Sequence, residues 1–262
     1  MATATAAPIV NDLELADAEV KFYKDQGFLP LPNFLRADAV AAVRGDIEQV
    51  LEAHGLTADR LSRSSDSKDK LQQFNQYLAG SALDELINGE RTRAVAGRLI
   101  GGNAHRYLPF TAVKAGGGGS TFDYHQDNNY TQHDPATGSI NIWVALVDMT
   151  PANGCLNVIP GSHRQGQLPS VDVGDGHQKL DVDEAELLPV RMRAGDAVAF
   201  TRWTVHGSGP NQTGSPRWAY ALQYHRDDVR WRPKGSTNDA DWKLLIEQKN
   251  FDIEPVDKLG PA

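Results

Sequence analysis

From about Tyr107 onward the chain is written in short stretches of β-prone residues, broken every few positions by Gly, Pro, Asn or Asp, with no helical periodicity between them. This punctuation constrains the fold more than any other feature. Parallel strands need long crossovers, usually helices, and the spacing leaves no room for them. Segments 106–114, 121–128, 139–148, 155–159, 187–192, 196–201 and 217–226 therefore predict antiparallel strands closed into a sandwich or barrel.

Upstream the character differs, and the first hundred residues read as helical. Val40, Val43, Ile47, Val50 and Leu51 recur at spacings of three and four, which makes an apolar helical stripe. Asp38 stands where an N-cap belongs and Gly55 where a helix stops. A second helix is expected over 81–99, with Leu83, Leu86, Ile87, Val95 and Leu99 inward and Gly101-Gly102 ending it. Residues 170–186 read as a polar, acidic loop, and 241–251 as a short helix. The expected architecture is mainly β with flanking α, one domain over 1–262. Its parts are a helical portion over 1–103, a double-sheet jelly roll over about 104–232 with the helices on one outer face, and a tail over 233–262.

The formal charge of −8 argues against sequence-independent binding to nucleic acid or an anionic membrane. The single cysteine, Cys155, can form neither an internal disulfide nor a cysteine-rich zinc site. The first ten residues lack a basic segment and an apolar core, and no apolar run reaches the roughly 18–20 residues that span a bilayer. The expected compartment is the cytoplasm, and the expected partner is a small molecule.

Three residues carry the chemistry. His125 and Asp127 flank Gln126 in a predicted strand, where i and i+2 point to one face, so imidazole and carboxylate project together. His206, directly after the apolar run 197–200, is the best third ligand. Two histidines and one carboxylate make the facial set that holds non-haem Fe(II) and leaves positions open. Arg217, eleven residues after His206 and opening the next strand, supplies a fork suited to a carboxylate such as the far end of 2-oxoglutarate. If Arg217 faces inward, so do Ala219, Ala221, Gln223 and His225, and Trp218, Tyr220, Leu222 and Tyr224 face the helices. Asn128 and Tyr130, just past the H-x-D motif, are candidate substrate contacts; a polar hairpin is an equal alternative. Gly116 to Gly119 lack the phosphate-loop pattern and read as a hairpin next to the site. His163 reads as a residue that orders its loop.

His125-Gln126-Asp127, the run Asn153-Gly154-Cys155-Leu156-Asn157-Val158-Ile159-Pro160-Gly161-Ser162-His163, and His206-Gly207-Ser208-Gly209 with Arg217 resemble the phytanoyl-CoA dioxygenase family of Fe(II)/2-oxoglutarate oxygenases. The resemblance runs from about Phe28 to Arg226 and implies a cupin-like double-stranded β-helix. It implies Fe(II), 2-oxoglutarate and O₂, with succinate and CO₂ released as a C–H bond is oxidised. Metal ligation carries onto His125, Asp127 and His206, and 2-oxoglutarate binding onto Arg217, Ser208, Trp143, Phe110 and Lys70. Lys70 comes from a Lys-x-Gln-x-Phe-like stretch whose Gln72 joins the candidate substrate contacts. Because Asp127 fills the position that halogenating relatives leave small, the resemblance favours hydroxylation, or desaturation, over halogenation. Two other readings use the same His/Asp/His set: a metal-dependent hydrolase and a non-catalytic jelly-roll binding protein.

Overall fold

The computed structural model describes residues 8–57, 60, 71–72, 76–118, 121–174, 177–248 and 254–259. Lys70 lies outside them, and of Gln72 only the backbone is described.

The helices described ahead of the β-rich part are α1 (Asp17–Gln26), α2 (Val40–Ala53), α3 (Ala82–Asn88) and α4 (Glu90–Ile100). The apolar stripe of α2 is buried at Val43, Ile47, Val50 and Leu51, as its spacing predicts. Asp38 does not cap it. The N-cap is Ala39, and the Asp38 carboxylate instead accepts from Arg36. The single helix expected over 81–99 is two, broken at Gly89, whose backbone is extended (φ −58°, ψ 145°). A Cβ there would stand 2.3 Å from the carbonyl oxygen of Glu85, so the break depends on glycine. Gly101, left-handed at φ 75°, ends α4.

Two antiparallel sheets form the core. Their strands are β1 (Phe28–Leu31), β2 (Leu71–Gln72), β3 (His105–Lys114), β4 (Phe122–His125), β5 (Ser139–Ala145), β6 (Asn157–Val158), β7 (Leu188–Pro189), β8 (Ala197–Thr201), β9 (His206–Ser208) and β10 (Arg217–His225). The major sheet runs β1-β8-β5-β10-β3-β2, and the minor sheet β7-β6-β9-β4. This is the predicted jelly roll, entered by a strand, β1, from the portion read as helical. Smaller ribbons flank it: Arg230–Pro233 pairs with Thr131–Asp134 and Lys243–Leu244, and Gln76–Leu78 runs parallel to Glu254–Val256. The tail thus begins with strand and a 3-10 turn at Leu245–Glu247 where a helix over 241–251 was expected; 249–251 lie outside the described residues. The loop at 170–186 holds a small hairpin, Val171–Asp172 against Gln178–Lys179.

Both faces of the major sheet are covered. Toward the helices, Trp218, Tyr220, Leu222 and Tyr224 pack with Val43, Ile47, Leu86 and Leu99. Toward the minor sheet, Ala112, Ala145, Ala219 and Ala221 surround Trp143, Val158 and Phe200. Bulk on one face and methyl groups on the other leave room between the sheets. No helix among the described residues is long and apolar enough to cross a membrane.

Candidate metal and cosubstrate site

The minor sheet brings the two histidines together. In the antiparallel pair β9/β4, His206 stands directly opposite His125, and their ring centroids are 4.4 Å apart. Gly207 makes this closeness possible: a Cβ there would lie 2.6 Å from Tyr124 Cδ1 and 2.9 Å from the carbonyl oxygen of Phe122. Asp127 arrives by a different route from the one its spacing suggests. The strand ends at His125, Gln126 stays extended, and Asp127 opens a 3-10 turn over Asp127–Asn129. Gln126 pins that turn from behind, its amide donating to the carbonyls of Gly166 (2.8 Å) and Trp203 (2.7 Å).

The result is one convergent donor set. Asp127 Oδ1 lies 3.8 Å from His125 Nε2 and 3.6 Å from His206 Nε2. The three donor atoms fall within 4.8 Å of one another. Ligand atoms each about 2.1 Å from a shared ion stand about 3 to 3.5 Å apart, so the spacing suits a metal. Both tautomers suit it too. Nδ1–H of His125 donates to the carbonyl of Asp123 (2.7 Å), and Nδ1–H of His206 to the carbonyl of Thr204 (2.9 Å). Each Nε2 lone pair is thereby left for a ligand bond. Burial, helped by His206, pulls His125 down to about 4, so it is neutral near pH 7. Burial alone would raise the Asp127 carboxyl, but His206, Arg202 and His125 outweigh it and hold it below the usual range.

Arg217, the first residue of β10, is completely buried. Among the described residues none of Nε, Nη1 and Nη2 has a hydrogen-bond partner, and burial lowers the guanidinium to about 10. Its Cζ sits 5.4 Å from the centroid of the Trp143 ring, and Trp143 meets Phe110 edge-on at 6.1 Å. A buried cation with five unspent N–H donors is costly unless an anion joins it. A carboxylate that enters from outside answers both demands. The orphaned guanidinium and the two-His, one-carboxylate set thus fit 2-oxoglutarate and Fe(II) respectively.

Ser208 is buried on β9, and its carbonyl accepts from Lys114 Nζ at 3.0 Å; the Gly209 carbonyl accepts from the same amine. The turn from His206 to Arg217 is tied by Asn211, whose Nδ2 reaches the carbonyls of Ser215 (2.8 Å) and Lys114 (3.3 Å). A cavity of about 520 Å³ opens onto His125 and Asp127. Phe110 and Tyr130 line it, together with Tyr107, Phe122, Arg202 and Gln223. Asn128 is not among the lining residues. Its amide is used inside the fold, accepting from the backbone N–H of His133 (2.9 Å) and donating to Gln167 Oε1 (2.9 Å). His163 closes its loop on α1, paired to the carbonyl of Lys24 at 2.9 Å.

Three contributors went unread in the sequence. Arg202 donates to the backbone carbonyl of Asp127 at 2.9 Å. Asn141, on β5, reaches Asp127 Oδ2 at 3.5 Å. Lys114, an ordinary strand lysine by sequence, is fully buried. The only signal for Arg202 was its place at the end of an apolar strand four residues before His206.

Comparison with known proteins points to one family. Residues 23–219 match the family model described as phytanoyl-CoA dioxygenase. An ectoine dioxygenase of Streptomyces avermitilis is 25% identical over 221 residues, covering 76% of this chain and 75% of its own. Phytanoyl-CoA dioxygenase 1 of Oryza sativa is 26% identical over 259 residues, covering 82% and 90%. Among solved structures, EvdO2 of Micromonospora carbonacea complexed with 2-oxoglutarate shares the fold with a TM-score of 0.64. It is 21% identical, covering 89% of this chain and 98% of that one.

Proposed function

The chain belongs to the phytanoyl-CoA dioxygenase family, and on that premise we propose that it oxidises a C–H bond of a small-molecule metabolite, by hydroxylation in the first instance. It is an Fe(II)- and 2-oxoglutarate-dependent oxygenase. In the proposed assignment His125, Asp127 and His206 hold the metal, and Arg217 grips the distal carboxylate of 2-oxoglutarate. Ser208, Trp143, Phe110 and Lys70 complete the cosubstrate pocket, with Tyr130 and Gln72 on the substrate side. Asn128 acts in this reading through the turn it braces. The whole chain works as one catalytic domain, in the cytoplasm, where Cys155 stays reduced.

Iron, 2-oxoglutarate and O₂, when bound, supply the oxidising power, and 2-oxoglutarate leaves as succinate and CO₂. The chain supplies the rest. The two backbone carbonyls on His125 and His206 fix the ring faces. Trp143 and the alanines of β5 and β10 keep water from the Arg217 fork, and in that dry setting a charge-assisted pair is strong. Asp127 occupies the third ligand position as a carboxylate, which leaves no slot for a halide beside it.

The observation that carries this reading is Arg217, buried with all three nitrogens unpartnered among the described residues. A hydrolase built on the same three donors has no use for such a clamp, and a binding module needs neither. The test is succinate formation by metal-free and Fe(II)-loaded protein supplied with 2-oxoglutarate and a pool of metabolites. Iron-dependent turnover with a product 16 mass units heavier, or 2 lighter for desaturation, is expected. Equal product in both preparations, or hydrolysis without 2-oxoglutarate consumption, overturns it.

A further inference from the structure

A second buried guanidinium stands on the substrate side of the triad. Arg202 follows β8 directly and is 4% exposed. Its Nη2 donates to the carbonyls of Asp127 and Thr131 (both 2.9 Å) and to Thr131 Oγ1 (3.0 Å). Nε reaches Asn128 Oδ1 and Nη1 reaches Gln223 Oε1, each at a long 3.3 Å. Every one of these acceptors is neutral. Among the described residues Arg202 has no ion pair, and one N–H of Nη1 has no partner.

The Arg202 charge acts on the Asp127 carboxylate, which it helps to hold below the usual range, but the two groups form no ion pair. An uncharged amide could tether the Asp127 and Thr131 carbonyls without the cost of burying a charge. Arg202 lines the 520 Å³ cavity that opens onto His125 and Asp127, whereas Arg217 does not. Four rings, Tyr107, Phe110, Phe122 and Tyr130, line the same cavity beside the polar Asp123, His177 and Gln178, and Arg202 lies over the Tyr107 ring at 5.8 Å.

Resting on the oxygenase reading above, we propose that Arg202 is the specificity-determining residue for the prime substrate, and that this substrate is a small carboxylic acid with an apolar or cyclic body. Its carboxylate meets Nη1 of Arg202, displacing or sharing the weak bond to Gln223. Its body packs against the four rings. Since Arg202 also holds the Asp127 carbonyl, the carbon to be oxidised lies within a few bonds of the carboxylate.

The test uses full-length protein loaded anaerobically with Fe(II) and 2-oxoglutarate, whose charge-transfer absorption reports the loaded site. Paired probes are added: phenylacetate, cyclohexanecarboxylate and proline, each against its primary amide. The expected result is that acids perturb the band at concentrations at least tenfold lower than their amides. Arg202→Gln, where it still shows the band, is expected to bring that ratio near one. Gln223→Glu, which sets a competing carboxylate against Nη1, should cut the ratio at least tenfold, and it serves where Arg202→Gln fails to fold or load. Equal behaviour of acids and amides, absence of binding by either included, overturns the proposal. So does an unchanged ratio in a loaded variant. A missing band in the parent protein counts against the oxygenase reading itself, which separates the two failures.

Discussion

The two faces of β10 make a useful contrast. One face carries Trp218, Tyr220, Leu222 and Tyr224, all packed against the helices. The other carries Arg217, Ala219, Ala221 and Gln223, with methyl groups where the first has rings. The helical face is filled to support the sheet. The inner face is kept thin and holds a charge that nothing among the described residues neutralises. Bulk and space are thus divided between even and odd positions of one strand.

The contrast can be attacked from either face. The largest effect is expected from the donors themselves: Asp127→Ala or His206→Ala should abolish iron-dependent succinate formation, with retained iron loading and turnover refuting the assignment. Next, Trp218→Ala should cost about 3–5 kcal/mol of unfolding free energy, as large-to-small core changes do. Denaturant titration measures it, and the fraction still folded should keep its KM for 2-oxoglutarate. Arg217→Met inverts the pattern. Loss of a buried charge pair should raise the KM for 2-oxoglutarate roughly a hundredfold, about 3 kcal/mol. The metal-free variant should be no less stable than the parent, because it no longer buries an unpaired cation. Ala221→Leu should cost about 1–3 kcal/mol by overpacking and reduce turnover, whereas an outer-face change such as Leu222→Met should do neither.

The smallest expected effect is in pH. Burial holds His125 and His225 down to about 4, and His133 well below its usual range. All three are neutral in the folded chain at a pH where the unfolded chain already binds protons. Metal-free protein should therefore be fully stable above about pH 6.5, the ordinary histidine value, and lose stability progressively as pH falls toward 4. A flat midpoint across that window would show that these rings are not held neutral.

The sequence made this division legible where side-chain period decided it. Alternation along 217–226 sorted the two faces of β10, and the spacing along α2 named its buried stripe. The donor triad was readable because its members are chemically rare in combination. What escaped depended on tertiary approach. Nothing local says that Asp127 leaves the strand for a 3-10 turn, because its carboxylate still converges with His125. Gly89 sits inside a helical pattern and breaks it locally, where a Cβ would meet the carbonyl oxygen of Glu85 one turn back. Arg202, Asn141 and Lys114 look like ordinary residues at strand positions. Their roles come from what the second sheet and its loops set against them, and no window of sequence contains both partners. Asn128 shows the converse, a polar residue beside the motif that its own loop consumes.

Gly207 leaves this lineage little freedom. One added methyl would wedge the histidine-bearing strands apart and unseat both imidazoles at once. Drift toward other metals or other reactions would then have to begin in the loops that roof the cavity, and not in the backbone seam beneath it.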